Sequence, residues 1–152
     1  MEIDTTYDID APAQAAWEVF GEKFGDIADW SSAIEASSLG GALEEGVMRT
    51  CHIKAVGPIA AGVITEELTE FDRGSRTVAY SVLTGTPGFI RQLDNHWTFE
   101  SIEGDRTRVR STLTLQVAWW MVPMSPVLRF QMARSVRDFI AQFARHVEAS
   151  WG

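Results

Sequence analysis

Cysteine is almost missing from this chain: Cys51 stands alone among 152 residues, so no internal disulfide can form and the core must hold the fold, as in proteins of a reducing compartment. Basic residues are also scarce. Lys and Arg number 13 against 21 Asp and Glu, a net charge of -8, and a field of that sign repels nucleic acid phosphates and anionic lipid alike. Long hydrophobic runs are absent as well: the longest, Val117 to Met124, is broken by Pro123 and falls far short of the roughly 20 residues of a spanning helix. Stable membrane insertion and nucleic-acid binding are therefore not expected. The first ten residues, MEIDTTYDID, lack the basic and apolar regions of a signal peptide, so the expected location is the cytoplasm. There is no phosphate loop, dinucleotide fingerprint or Ser-containing elbow, which argues against nucleotide and hydrolase chemistry.

What is present is a globular composition, 45% hydrophobic and 22% charged, with no repeat or low-complexity tract; one domain over residues 1-152 is expected. Its longest feature comes last. Ser125 is a good N-cap and Pro126 a good first helical residue. Leu128, Met132, Val136, Phe139, Ile140, Phe143 and Val147 then recur at spacings of three and four and share one face of a helix running to Trp151. Arg134, Arg137, Asp138, Arg145 and Glu148 take the other side. Such a helix is about 40 Å long and needs a matching apolar surface.

The preceding chain supplies it. Residues 2 to 9 alternate as a half-buried strand, Asp10 is placed to cap the next helix, and two short helical pieces are expected over Ala11 to Phe20 and Asp26 to Trp30. From Gly46 the period becomes two. Strands are expected with Val47, Arg49, Cys51 and Ile53 on one face, then Ile64, Glu66 and Leu68, then Val78, Tyr80 and Val82, then Leu93, Asn95, Trp97 and Phe99, then Val109, Leu113, Leu115 and Val117. Turns fall at Gly57-Pro58, Asp72 to Ser75, Thr84 to Gly88 and Gly104-Asp105. Short turns between consecutive strands make an antiparallel meander with one covered face. The fold class is α+β, a helix-grip arrangement: a curved antiparallel sheet wraps the long C-terminal helix, with two short helices after the first strand. One helix about 10 Å wide cannot fill such a sheet, so a cavity is expected.

This order of elements resembles the START-like (Bet v 1-like, SRPBCC) superfamily. IDAPAQAAWEVF at residues 9 to 20 is similar to the family's entry to its first helix, and Trp30 to the tryptophan that comes after the second. GVMRT at 46 to 50, EEL at 66 to 68 and Asp72 resemble the polyketide cyclase/dehydrase branch. The resemblance implies the fold and a choice of roles, since members include cyclases, lipid and hormone binders, and proteins with no assigned activity. It does not decide among them.

Polar residues on the covered face are the informative ones, because burying them unpaired is costly. These are Arg49, Glu66, Tyr80, Asn95 and Ser111. Arg49 and Glu66 fall on strands expected to be adjacent, and two readings stand side by side. In one, Arg49 binds a ligand carboxylate, phenolate or enolate while Glu66 orients it or acts as a base. In the other, the pair merely fixes register. Tyr80, Asn95 and Trp97 bring a hydroxyl, an amide and a large ring, a set suited to a planar ligand or, equally, to a core. Trp30, Ser111, Leu113, Met132, Val136, Phe139 and Phe143 complete the candidate lining. His52 and His96 fall on the opposite strand face and His146 at the edge of the helical stripe, so no metal site and no cofactor are expected. Cys51 reads as a buried, inert thiol.

These residues allow three functions. The preferred one is a binder of a small hydrophobic molecule, aromatic, polyketide-like or acyl. Next is a polyketide cyclase or dehydratase type enzyme, in which Arg49 and Glu66 would polarise the substrate and Tyr80 and Asn95 orient it. Third is an interaction protein using Trp119 to Met124, whose paired tryptophans also read as a lid or as a homodimer contact.

Overall fold

The computed structural model describes residues 1-55 and 60-151. Strand β1, Glu2–Ile9, is followed by a short helix α1, Ala13–Trp17, which passes directly into a π-helical turn, Glu18–Glu22, and a 3₁₀ segment, Phe24–Asp29. Strands β2 (Ile34–Leu39), β3 (Met48–Ile53), β4 (Gly62–Asp72), β5 (Thr77–Thr84), β6 (Ile90–Ile102) and β7 (Arg106–Val117) come next. A 3₁₀ turn, Trp119–Met124, then leads into the long helix α2, Ser125–Trp151. The strands form one antiparallel sheet in the order β1-β7-β6-β5-β4-β3-β2. A meander with its first strand returned beside the last is the simplest way to join seven strands by short turns.

Alternation turns the apolar sides of β1 and β4 to β7 inward, as the period of two requires. Ile3, Ile9, Leu68, Val78, Leu93, Trp97, Phe99, Val109, Leu113 and Leu115 are buried, and Leu128, Met132, Ile140, Phe143 and Val147 of α2 are buried against them. The core has two centres. One gathers Trp17, Phe20, Phe24, Tyr80, Trp97, Phe99 and Phe143; the other gathers Ile3, Ile90, Leu93, Leu113, Leu115, Leu128 and Met132. Val136 packs on both yet is only half-buried. The helix is thus gripped at two places along its length.

Several local expectations are corrected. The sheet has a strand that alternation did not announce: β2, IEASSL, lies at the sheet edge with no fully buried residue, so no apolar face marks it. Asp10 does not cap α1. Pro12 occupies the N-cap position without a side-chain bond, while the Asp10 N–H donates to Glu148 Oε2 at 2.8 Å, tying β1 to α2. Glu148 is accordingly half-buried, not on the solvent side. Ser125 is no N-cap either, since its φ of -53° and ψ of -42° are helical: the chain is already turning from Trp119 and enters α2 without a break. The second helical piece begins at Phe24 instead of Asp26, because Gly21 and the π-helical turn let the chain close over Trp17. Gly57 and Pro58 lie outside the described residues. The Gly104-Asp105 turn has positive φ at both residues, 76° and 53°, as a two-residue hairpin demands.

Candidate functional site

Between the two core centres the sheet and α2 part, leaving a cavity of about 460 Å³. Strand β4 bulges against β5 on both sides of the segment from Glu66 to Leu68, and such bulges bend a sheet away from a straight helix. The floor of the cavity comes from Arg49, Ile64, Glu66, Tyr80, Val82, Leu93, Asn95, Trp97 and Leu113, and its roof from Met132, Val136 and Phe139 of α2. Val136 and Phe139 are only half-buried for this reason, since their side chains face a space and not a packed wall.

Strand register brings the polar residues together. Arg49 stands directly opposite Glu66 across β3 and β4, and Tyr80 opposite Asn95 across β5 and β6. Arg49 is 2% exposed and each of its three nitrogens is engaged: Nε donates to Glu66 Oε1 at 2.8 Å, Nη2 lies 2.8 Å from the same oxygen, and Nη1 donates to the Phe24 carbonyl at 2.9 Å. Its guanidinium carbon sits 3.8 Å from the centre of the Phe24 ring and 4.8 Å from that of Tyr80. Burial opposes the charge most strongly, but the Glu66 carboxylate and the neighbouring Tyr80 and Cys51 more than offset it and hold the pKa of Arg49 above its ordinary value. The arginine therefore clamps the 3₁₀ segment to β3 while fixing one oxygen of Glu66.

Glu66 is unevenly satisfied. Oε1 receives both contacts from Arg49 and the Cys51 thiol at 3.4 Å, whereas Oε2 has no hydrogen-bond donor among the described residues. Burial pushes the Cys51 thiol up to about 12, and burial with the Glu66 charge raises the Tyr80 phenol, so both stay neutral near pH 7. Among the described residues the Asn95 amide likewise makes no hydrogen bond, and Trp97 Nε1 is buried without a partner. The cavity thus joins an apolar chamber to polar groups that no described residue satisfies.

Of the residues singled out from sequence, Arg49, Glu66, Tyr80, Asn95, Trp97, Leu113, Met132, Val136 and Phe139 line this space. Trp30, Ser111 and Phe143 do not. Phe143 is fully buried, with its ring 5.3 Å from Phe20 and 5.1 Å from Trp30; Trp30 in turn stacks 4.7 Å from Phe139, on the far side of the wall that Phe139 forms. Ser111 stands beside Trp97 in register on the neighbouring strand and is 1% exposed. Strand and helix phase place a side chain on the covered face without fixing its depth. Sequence reasoning missed the rim: Ile27, Ser31, Ser32, Ala33 and Ile34, with Lys54, Ala55, Ser135, Asp138 and Gln142. Asp138, assigned to the solvent side of α2, borders the opening because the stripe's flank faces a gap. The 31-34 segment is held to α2 by the Ser32 N–H donating to Gln142 Oε1 at 2.9 Å, a contact no periodicity reveals.

His52 and His96 are exposed on the outer sheet face, and among the described residues no cluster of three or more His, Cys, Asp or Glu is placed to hold a metal. Trp119 is 83% exposed and Trp120 53%, with Val122, Met124, Val127 and Phe130 beside them in sequence and also exposed. No described helix is long and apolar enough to cross a membrane.

The family model for polyketide cyclase/dehydrase and lipid transport proteins matches residues 1–148. The chain belongs to this family. No curated protein matches the sequence. Solved structures share the START-like, helix-grip fold of this family member at low identity: a START superfamily protein from Mycobacterium smegmatis (12% identity, TM-score 0.80, 97% of each chain covered) and Ara h 8.0201 (10%, 0.79, 98% of each). The Zhui aromatase/cyclase from Streptomyces sp. R1128 is similar too, at 18% identity and a TM-score of 0.74 over 99% of this chain and 92% of that one.

Proposed function

We propose that this family member binds one small hydrophobic molecule between its sheet and α2. The observation that carries the reading is the cavity itself: about 460 Å³ lies within the range of small-molecule sites, and its lining is mostly apolar with a few converging polar groups. The fold could have been filled by larger side chains at Val82, Leu113 and Val136, and it is not. An interaction protein would combine a filled cavity with an exposed Trp120; only the second of these holds. The test is saturable binding of the neutral probe N-phenyl-1-naphthylamine, together with mass spectrometry of an organic extract of natively purified protein. One-to-one probe binding that Val136→Trp abolishes, with the unfolding midpoint kept, supports the reading. No saturable binding, with an empty extract, overturns it.

A cyclase or dehydratase role is the second reading, favoured by the placing of Glu66, Tyr80 and Asn95 on one wall of a largely apolar chamber. Arg49 then acts by positioning Glu66, because its nitrogens are already held. Incubation with a reactive poly-β-ketone tests it: a changed distribution of cyclised products that Glu66→Gln reverts supports turnover, and an unchanged distribution leaves binding alone.

A further inference from the structure

Resting on the ligand-binding reading, the geometry points to a ligand class: we propose that the cavity selects a neutral aromatic molecule carrying a hydrogen-bond donor, such as a phenol, and rejects its carboxylate counterpart. The polar end of the chamber is asymmetric. The cation there is withdrawn, since every nitrogen of Arg49 has a protein acceptor and its guanidinium carbon lies 3.8 Å from the centre of the Phe24 ring and 4.8 Å from that of Tyr80. The anion is only half used. All three donors that reach Glu66 among the described residues converge on Oε1, so Oε2 is the position that a ligand donor completes.

A hydroxyl meeting Oε2 forms a charge-assisted bond with the carboxylate of a residue that is itself 4% exposed. An anionic oxygen in the same place meets a like charge, while each Arg49 nitrogen already has a protein oxygen as partner. Asn95, on the same wall and without a partner among the described residues, offers a second, adaptable contact. The aromatic part of the ligand is set by Trp97, Tyr80 and Phe139, whose rings bound the chamber; Trp97 and Phe139 stand 5.8 Å apart and already tilted to each other.

The experiment compares naphthalene, 2-naphthol and 2-naphthoate by calorimetry or by displacement of N-phenyl-1-naphthylamine at pH 7, in the wild type and in Glu66→Gln. In the wild type, 2-naphthol should bind about tenfold or more tighter than naphthalene, and 2-naphthoate weaker than naphthalene. Glu66→Gln should narrow both gaps, each affinity being read relative to that of naphthalene for the same protein. The wild-type comparison stands even where the variant folds poorly. If all three bind the wild type alike, or naphthoate binds best, the inference fails while the binding reading survives. If none binds, both fail together.

Discussion

Arg49→Met removes the guanidinium of a residue that is 2% exposed. An exposed ion pair contributes about 0 to 1 kcal/mol, but breaking a buried one leaves an uncompensated charge and costs about 3 to 5 kcal/mol. Side-chain exposures of 2% and 6% put Arg49 and Glu66 in the second class. Two further losses accompany it: the Phe24 carbonyl gives up the donor at 2.9 Å, and the Phe24 and Tyr80 rings lose the cation beside them. Taking about 4 kcal/mol, and about 2 to 4 °C per kcal/mol for a chain of this size, the midpoint should fall by roughly 8 to 16 °C. Urea denaturation of the wild type, Arg49→Met, Glu66→Leu and the double variant completes a cycle. The double variant leaves no orphan charge, so it should be more stable than the sum of single losses allows, with a coupling of at least about 2 kcal/mol. A single-variant loss below about 1 kcal/mol, or strict additivity, would refute the assignment of this pair to the interior.

Four other outcomes are expected. Because Cys51 is raised from 9.0 to about 12 in the folded state, foremost by burial, its contribution to stability is fully present below pH 9 and is lost as pH climbs from 9 to about 12; Tyr80, raised for the same first reason, acts in the same direction. Alkaline unfolding followed at 295 nm should therefore release the Tyr80 phenolate only with loss of the native fold, and native Cys51 should resist Ellman's reagent at pH 8 until denaturant is added. On the acid side, the hydrogen bonds from Arg108 to Asp8 and from Arg73 to Glu22 hold those carboxyls below their ordinary range, so their contribution is present near neutrality and fades as pH falls through the lowered values; these pairs are exposed, and added salt should flatten that slope. Trp119→Ser and Phe130→Ser should each change unfolding free energy by less than about 0.5 kcal/mol, since both rings lie in solvent, a result that chemical denaturation checks directly. Gly85→Ala should destabilise by about 1 to 3 kcal/mol in the same assay, because φ is +95° and an added Cβ would come within 2.2 Å of the Val63 carbonyl oxygen.

Legibility in the sequence tracked how far each feature depends on periodicity. Helix α2 was readable end to end, because seven apolar residues at spacings of three and four leave one solution for its buried face. Strands β3 to β7 were readable for the same reason at period two, and with them the pairing of Arg49 opposite Glu66, which needs only that β3 and β4 be neighbours. Where one face is not buried the signal vanishes, so edge strand β2 was missed and the caps of α1 and α2 were misplaced: cap chemistry was present in Asp10 and Ser125, but tertiary contacts gave the chain other conformations.

The chain by itself determined which residues face inward, since side-chain direction is set by local backbone geometry and burial by polarity. Only the folded structure decided how deep each one lies. That Trp97 and Phe139 meet the cavity while Ser111 and Phe143 sit behind it depends on the bulges of β4 and on where α2 lifts from the sheet. It likewise decided that, among the described residues, Glu66 Oε2 has no donor while each Arg49 nitrogen has an acceptor, because hydrogen-bond partners such as the Phe24 carbonyl arrive from distant segments whose approach no spacing encodes.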